Sequence, residues 1–267
     1  VTLYANVQQG NRAPSPIERG CSDPANACGL PNALQSDPPL KQVVSRTLEV
    51  GARGKFAPQL QWNAALFHTV NSDDLLFISN GLAAGYFTNF GRTQRQGIEL
   101  GLAQQYSSFG WSASYSYLRA TYESSACIVA EGNSTAETSA ACTGDDEIEV
   151  RPGNRIPGLP QHSFKFGADW QPAAGWSVGT QLRAYSGQFV RGNENNAHQP
   201  DGVDFNGSGR VGGFAVVDMT ASWKPTANLE LFGKVSNLFD RRYGSAGILG
   251  ENAFDAAGAI QAPADWR

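Results

Sequence analysis

Apolar and polar residues alternate along the chain in nine separate stretches. Successive side chains of a β-strand point to opposite faces, so this two-residue period predicts nine strands that each have one apolar face. In the clearest stretch, Trp111–Tyr117, aromatic residues and Ala113 alternate with three serines. The stretches lie near residues 1–7, 47–53, 61–71, 97–102, 111–117, 164–170, 176–184, 217–223 and 229–236.

The links between these stretches alternate between short and long. Short links lie near residues 56–59, 107–110, 172–175 and 225–228, and long ones at about 10–42, 77–94, 123–160 and 188–212. Outer-membrane barrels have tight periplasmic turns and long extracellular loops. We therefore predict an all-β, antiparallel, up-and-down transmembrane β-barrel with long extracellular loops and short periplasmic turns.

The strand count predicts an incomplete barrel. A bilayer offers no water to an open sheet edge, and bacterial single-chain barrels have even strand numbers. The first residues, from Val1 to Tyr4, already have the pattern of a strand interior. We expect residues 1–267 to be one partial domain, part of a longer protein that supplies strands at both ends.

Aromatic and charged residues divide between the predicted faces. Five tryptophans lie near short links, where a periplasmic aromatic girdle is expected; they are Trp62, Trp111, Trp170, Trp176 and Trp223. The opposite face carries charges that are expected to face a water-filled lumen; they are Glu49, Arg53, Glu99, Lys165, Asp169 and Arg183.

Composition narrows the function classes. The net charge is -4, which argues against a nucleic-acid partner. Mean hydropathy is -0.33 and no apolar run reaches the length of a transmembrane helix. The three histidines are scattered and no catalytic constellation or metal site is predicted, so we do not expect an enzyme.

The four cysteines form two local pairs inside predicted long loops. Neither pair has zinc-ribbon spacing. We predict the disulfides Cys21–Cys28 and Cys127–Cys142, formed in an oxidising compartment. Unpaired buried thiols are the alternative.

The segment Val235–Tyr243 contains the sharpest motif. It reads V-S-N-L-F-D-R-R-Y and resembles the N-L-F-D-x-x-Y signature near the end of TonB-dependent outer-membrane receptors, carried here by Asn237, Leu238, Phe239, Asp240 and Tyr243. Weaker matches lie earlier in the chain and occur in the same order as in the family. They are at residues 11–15, 40–51, 89–99, 151–162, 191–195 and 217–218.

This resemblance implies the later strands of such a barrel, without plug, TonB box or closing strand. It implies TonB-energised uptake of a scarce nutrient, most often a ferric siderophore. The implied partners are outer-membrane lipid, the TonB complex through the N-terminal region, and a small ligand such as an iron chelate. No resident cofactor is implied.

The residues that would contact such a ligand lie in predicted extracellular loops. Aromatic faces and cations suit a planar, anionic ferric chelate; the candidates are Tyr86, Phe87, Phe90, Arg92 and Arg191. The alternative is that they pack the loops onto their neighbours.

Two other function classes stay open at this stage. A passive porin or an autotransporter-type barrel shares the alternation and the girdle. A secreted β-sandwich binding module predicts that Leu48, Ile98, Phe164 and Leu231 lie in a dry core between two sheets.

Overall fold

The protein folds mainly as one antiparallel sheet. The computed structural model describes residues 1–23, 40–79, 85–202, 205 and 207–250. The long strands are β1 (Thr2–Arg12), β2 (Val43–Ala57), β3 (Leu60–Ser79), β4 (Gly85–Gln105), β5 (Phe109–Tyr122), β8 (His162–Trp170), β9 (Trp176–Tyr185), β12 (Phe214–Thr226) and β13 (Leu229–Val235). They neighbour one another in chain order, which confirms the predicted nine-strand, up-and-down sheet.

Short elements lie in the long links. Helix α1 (Pro16–Gly20) follows β1. Strands β6 (Ala126–Val129) and β7 (Glu147–Val150) form a hairpin in the β5–β8 link, and β6 also pairs with β3. Strands β10 (Gln188–Phe189) and β11 (Arg210–Val211) form a separate small sheet in the β9–β12 link. The sequence did not predict these elements.

The prediction of a long loop over residues 77–94 was wrong. Strands β3 and β4 instead extend for 20 and 21 residues and pair beyond the other strands. A bulge opposite Gly91 shifts the register, with positive φ at Asp73 (53°) and Gly91 (106°). The shift breaks the two-residue period on which the sequence reading depended.

The strand register separates the side chains into two faces. Arg53, Asn63, Gly101, Ser114, Lys165 and Arg183 occupy one continuous row on the face that we call the polar face. Trp62, Leu102, Ala113, Phe166, Leu182 and Val217 occupy a row on the other side, the apolar face. From β2 to β9 each face keeps its character, as an up-and-down barrel wall requires.

No second sheet covers the apolar face in the described part of the chain. Leu48 is 50% exposed, Ile98 38%, Phe164 37% and Leu231 52%. These four residues would be buried in a β-sandwich, so the sandwich alternative is wrong. The described residues contain no helix that is long and apolar enough to span a membrane.

The apolar face ends in a belt of aromatic rings beside the short links. Trp176 stacks on Trp223 with ring centroids 5.3 Å apart, and Phe56 stacks on Trp62 at the same separation. Trp170 is paired with Phe109 across the β5–β8 ladder on the same face. The structure therefore has the predicted girdle arrangement.

Candidate functional site

The six charged residues predicted to face a lumen all lie on the polar face. Lys165 lies directly opposite Arg183 on the neighbouring strand. The Arg183 guanidinium donates to the Asp218 carboxylate at 2.6 Å, whereas Lys165 has no ion pair within the described ranges. Because Asp218 balances the charge of Arg183, Lys165 is the cation of this pair that remains without a carboxylate partner among the described residues, and it suits an anionic group in front of the polar face.

The polar face forms a groove near the short links. Its volume is about 1190 Å³, and Tyr4, Glu49, Arg53, Asn63 and Ser112 are among the residues that line it. The Tyr4 ring lies flat over Gly51, and the Asn63 amide lies over Gly101. A Cβ at either glycine would collide with the side chain that lies on it, so the glycines let these side chains lie close to the wall.

The N-L-F-D motif forms a turn that fastens β13 to β12. The backbone N–H of Asn237 donates to the Asp218 carboxylate at 2.8 Å, and the backbone N–H of Leu238 donates to the Val217 carbonyl at 2.7 Å. Asn237 and Asp240 have φ of 53° and 47°, a region that Asn and Asp tolerate better than most residues. Asp218 thus joins the motif to Arg183 on the polar face.

Two of the predicted ligand contacts belong instead to a hydrophobic cluster of the loops. Phe90 is 7% exposed and its ring lies 4.8 Å from that of Tyr122. Tyr86 packs against the same cluster, whose buried members are Phe90, Tyr122, Ile128, Ala130, Ile148 and Val150. Because its ring is already covered, Phe90 is a core residue of the loops, and its assignment as a ligand contact is corrected.

The other aromatic candidate, Phe87, and Arg191 both lie next to the ring of Phe77. Phe87 contacts Phe77 edge to face at 5.2 Å, and the Arg191 guanidinium lies 6.0 Å from the Phe77 ring centre. Phe77 was not among the predicted contacts, because residues 77–94 were interpreted as a loop and the pairing of Phe77 with Phe87 was not visible in the sequence. The Arg92 side chain is exposed, and no hydrogen bond or ion pair of the described residues joins it to this group.

Amide side chains hold two long links together. Asn133 Nδ2 donates to the Gly192 carbonyl at 2.6 Å, and Asn154 Nδ2 donates to the Asn195 carbonyl at 3.0 Å. The Ser134 N–H donates to His198 Nδ1 at 3.0 Å. Asn133, Asn193 and His198 are buried. Since buried amides cost free energy unless they are paired, this network fixes the β5–β8 and β9–β12 links as one layer, the loop layer.

A disulfide and acidic residues stabilise the β6–β7 hairpin. Cys127 and Cys142 form the predicted disulfide, with a Cα–Cα distance of 5.5 Å. Cys21 is also disulfide-bonded, but its predicted partner Cys28 lies outside the described residues. Hydrogen bonds from Arg151 and Ser139 lower the pKa of Glu149 to about 2. The neighbouring Glu147 carboxylate accepts from the Gly144 N–H at 2.9 Å.

One carboxyl group of the loop layer is partly buried. Burial raises the pKa of Glu194, and the Gly192 N–H and the charge of Arg191 offset part of that effect. The Gly192 N–H donates to Glu194 Oε1 at 3.2 Å. The charge state of this carboxyl group therefore couples pH to the stability of the loop layer.

Known proteins resemble the chain along most of its length. The family model "TonB dependent receptor-like, beta-barrel" matches residues 1–238. The pesticin receptor of Yersinia pestis is 24% identical over 248 residues, which are 92% of this chain and 30% of that protein. The ferrienterobactin receptor of Escherichia coli K12 is 28% identical over 121 residues, 40% of this chain and 15% of that protein.

A solved structure has the same fold. The siderophore receptor PiuA from Acinetobacter baumannii superposes with a TM-score of 0.63 at 18% identity, over 93% of this chain and 31% of that one. The chain spans about 30% of the length of the pesticin receptor.

Proposed function

Since this chain belongs to the TonB-dependent receptor family, we propose that it forms part of the barrel wall of an outer-membrane receptor. The whole receptor takes up a ferric siderophore with energy supplied through TonB. The wall contributes lipid contact on its apolar face, a polar lining, and outer loops that bind the ligand. Transport, rather than catalysis, is the activity proposed.

The separation of the two faces is the observation that carries this proposal. An apolar face that no protein layer covers in the described chain is costly in water and stable in lipid, because each strand then exposes only its apolar side chains to hydrocarbon. The aromatic belt beside the short links suits a membrane interface. We therefore assign the short links to the periplasm and the loop layer to the cell exterior.

The ligand class follows from the chemistry at the loops and on the polar face. Phe77, Phe87 and Arg191 combine two aromatic rings with a guanidinium, which suits an anionic aromatic chelate. On the polar face, Lys165 adds a cation that no carboxylate of the described residues pairs, whereas Asp218 balances the charge of Arg183. Two relatives named above are receptors for ferrienterobactin and for siderophores, which supports an iron chelate as the transported ligand.

The test is uptake of radioactive iron by cells that produce the full-length receptor and no other siderophore receptor. We expect uptake of one ferric siderophore class that stops when TonB is deleted. Uptake that persists without TonB would identify a passive channel instead. Transport of another nutrient class with no iron uptake would contradict the ligand assignment but not the barrel.

The binding contacts are tested by ligand titration of purified variants. We expect Arg191→Gln to weaken siderophore binding roughly 5- to 30-fold, the range of a partly desolvated cation–π and charge contact. Arg241→Gln, an exposed cation of the N-L-F-D turn, is the matched control and should bind like the wild type. Equal affinities of all three proteins would remove Arg191 from the site.

A further inference from the structure

Three arginines lie together where the apolar face ends on the side of the long links. Arg119 is opposed to Gln96, which is two residues beyond Ile98 on the apolar face. Arg155 forms an isolated antiparallel β-bridge with Thr121, and Thr121 lies two residues beyond Arg119 on the same face. Arg210 belongs to β11 in the β9–β12 link. We call Arg119, Arg155 and Arg210 the arginine cluster.

A phenylalanine ring holds two members of the arginine cluster in place. Arg210 is paired with Phe189 in the β10–β11 ladder, and its guanidinium lies 4.3 Å from the Phe189 ring centre. The Arg155 guanidinium lies 5.1 Å from the same ring centre. Stacking on an aromatic face fixes a guanidinium plane while its N–H groups stay available to an acceptor.

The arginine cluster has an excess of positive charge. In the described part of the chain, none of its three side chains forms a salt bridge or donates a side-chain hydrogen bond. Burial, followed by the nearby charges of Arg210 and Arg119, lowers the pKa of Arg155. Cations held this close without a carboxylate are stabilised by an anion that binds between them.

The surroundings of the arginine cluster resemble a membrane border. The Arg155 side chain is close enough to Tyr117 to interact with it electrostatically. Tyr117 contacts the ring of His162 at 5.2 Å, and the Tyr115 hydroxyl lies 2.8 Å from His162 Nδ1. Side chains with an aromatic body and a polar tip are typical of the membrane–water interface.

The same border crosses the neighbouring strands. Within two positions, the apolar face changes from apolar to polar residues on five successive strands, at the pairs Val7 and Gln9, Leu48 and Arg46, Leu66 and His68, Ile98 and Gln96, and Tyr117 and Arg119. Beyond this line the face stays polar on β1, β4 and β5, at Asn11, Gln94 and Thr121, whereas Val44 and Val70 make it apolar again on β2 and β3. The change from apolar to polar residues is therefore clearest on β4 and β5, beside the arginine cluster.

We propose that the arginine cluster binds the phosphate groups of an anionic lipid headgroup in the leaflet that surrounds the long links. Guanidinium groups pair with phosphate oxygens through two parallel hydrogen bonds, and Arg is favoured wherever this geometry matters. The acyl chains of the same lipid would lie along the apolar face. This inference rests on the membrane location proposed above.

The transported ligand is a less suitable occupant. The arginine cluster lies on the apolar-face side of the sheet, whereas the predicted lumen charges lie on the polar face. An anion bound at the cluster would therefore contact the outside of the barrel wall.

The experiment uses the full-length receptor in detergent and measures retained lipid by native mass spectrometry. The test variant is Arg119→Gln/Arg155→Gln/Arg210→Gln. The matched control, Arg53→Gln/Lys55→Gln/Lys165→Gln, removes the same charge on the polar face. Each surface cation changes affinity for anionic lipid about fivefold, so we expect lipid affinity to fall on the order of 100-fold in the test variant and to stay unchanged in the control.

Further measurements separate the possible outcomes. If the triple variant fails to fold, Arg210→Gln alone is measured, since Arg210 is exposed and a fivefold loss remains detectable. Equal retention by the wild type and the variants would overturn the proposal. Displacement of the lipid by inorganic phosphate alone would show a phosphate site rather than a lipid site, and would also overturn it. Unchanged iron uptake by the test variant would show that lipid binding and transport are separable, so failure of either proposal is recognised independently.

Discussion

Moving a positive charge from one face of the sheet to the other tests the assignment of lipid and water. Ile98→Arg places a guanidinium on the apolar face, between Leu66 and Tyr117 of the neighbouring strands. Ser116→Arg places the same group on the polar face, where residue 116 is opposed to Glu99. The two positions occupy adjacent rungs of the β4–β5 ladder, so only the face differs.

The expected magnitude follows from the position of Ile98 along the strand. Ile98 is four residues from Leu102, which is paired with Trp62 of the aromatic belt. At about 3.3 Å per residue and a strand tilt of about 40°, the side chain lies ~10 Å above the belt and ~5 Å below Gln96, where the face becomes polar. An arginine costs about 2–4 kcal/mol at the bilayer midplane and less towards the interface, so we expect about 1–3 kcal/mol here, which is roughly a 5- to 150-fold change in the folding equilibrium.

The assay is reversible unfolding of the full-length receptor in lipid vesicles, followed by tryptophan fluorescence. We expect Ile98→Arg to lose about 1–3 kcal/mol of unfolding free energy and Ser116→Arg to lose less than about 1 kcal/mol. Equal losses at the two positions would refute the reasoning, because they would show that the two faces meet the same solvent.

Three further outcomes are expected. Phe87→Ala should weaken siderophore binding roughly 2- to 10-fold in a titration. Phe90→Ala should instead destabilise the loop layer by about 3–5 kcal/mol, measured as lost hydrogen-exchange protection. The opposite pattern would reverse the roles of the two residues. Because the folded-state pKa of Glu194 is raised above its ordinary value of 4.5, the contribution of Glu194 to the stability of the loop layer should be fully present below pH 4.5 and should be lost as pH rises through the folded pKa. Glu194→Gln should remove this pH dependence of exchange protection, and an unchanged profile would exclude Glu194 as its cause. Asp218→Asn should cost about 1.5–3 kcal/mol of unfolding free energy, since it weakens hydrogen bonds to two groups, whereas Glu230→Gln, in an exposed ion pair, should cost less than about 1 kcal/mol.

The sheet was predicted well from the sequence because its two faces have different environments. Apolar and polar residues therefore alternate along each strand. Alternation such as Trp111–Tyr117 depends only on the opposite directions of successive side chains, so it predicted the strands, their two faces and the charged residues that share the polar face. The N-L-F-D motif was also visible, because its left-handed Asn237 and Asp240 require particular residue types.

The loops were predicted less well because their structure depends on contacts between distant segments. The bulge at Asp73 and Gly91 concealed the continuation of β3 and β4. The sequence does not distinguish Phe90 from Phe87, because both are phenylalanines of the same segment. Only the tertiary structure shows that Tyr122 packs against Phe90 and covers it. Asparagine is common in loops, so Asn133 and Asn195 did not indicate a network in the sequence. Their hydrogen bonds join residues about 60 positions apart.

The central claim is that lipid wets the apolar face and water wets the polar face. Spin labels placed one at a time at residues 176–184 of β9, in the full-length receptor in bilayers, test it most directly by their collision rates with oxygen and with a water-soluble nickel complex. We expect oxygen contact to peak at the even positions, from Trp176 to Ala184, and nickel contact to peak at the odd ones, from Ser177 to Arg183. Two profiles that rise and fall together, or that show no two-residue period, would contradict the claim.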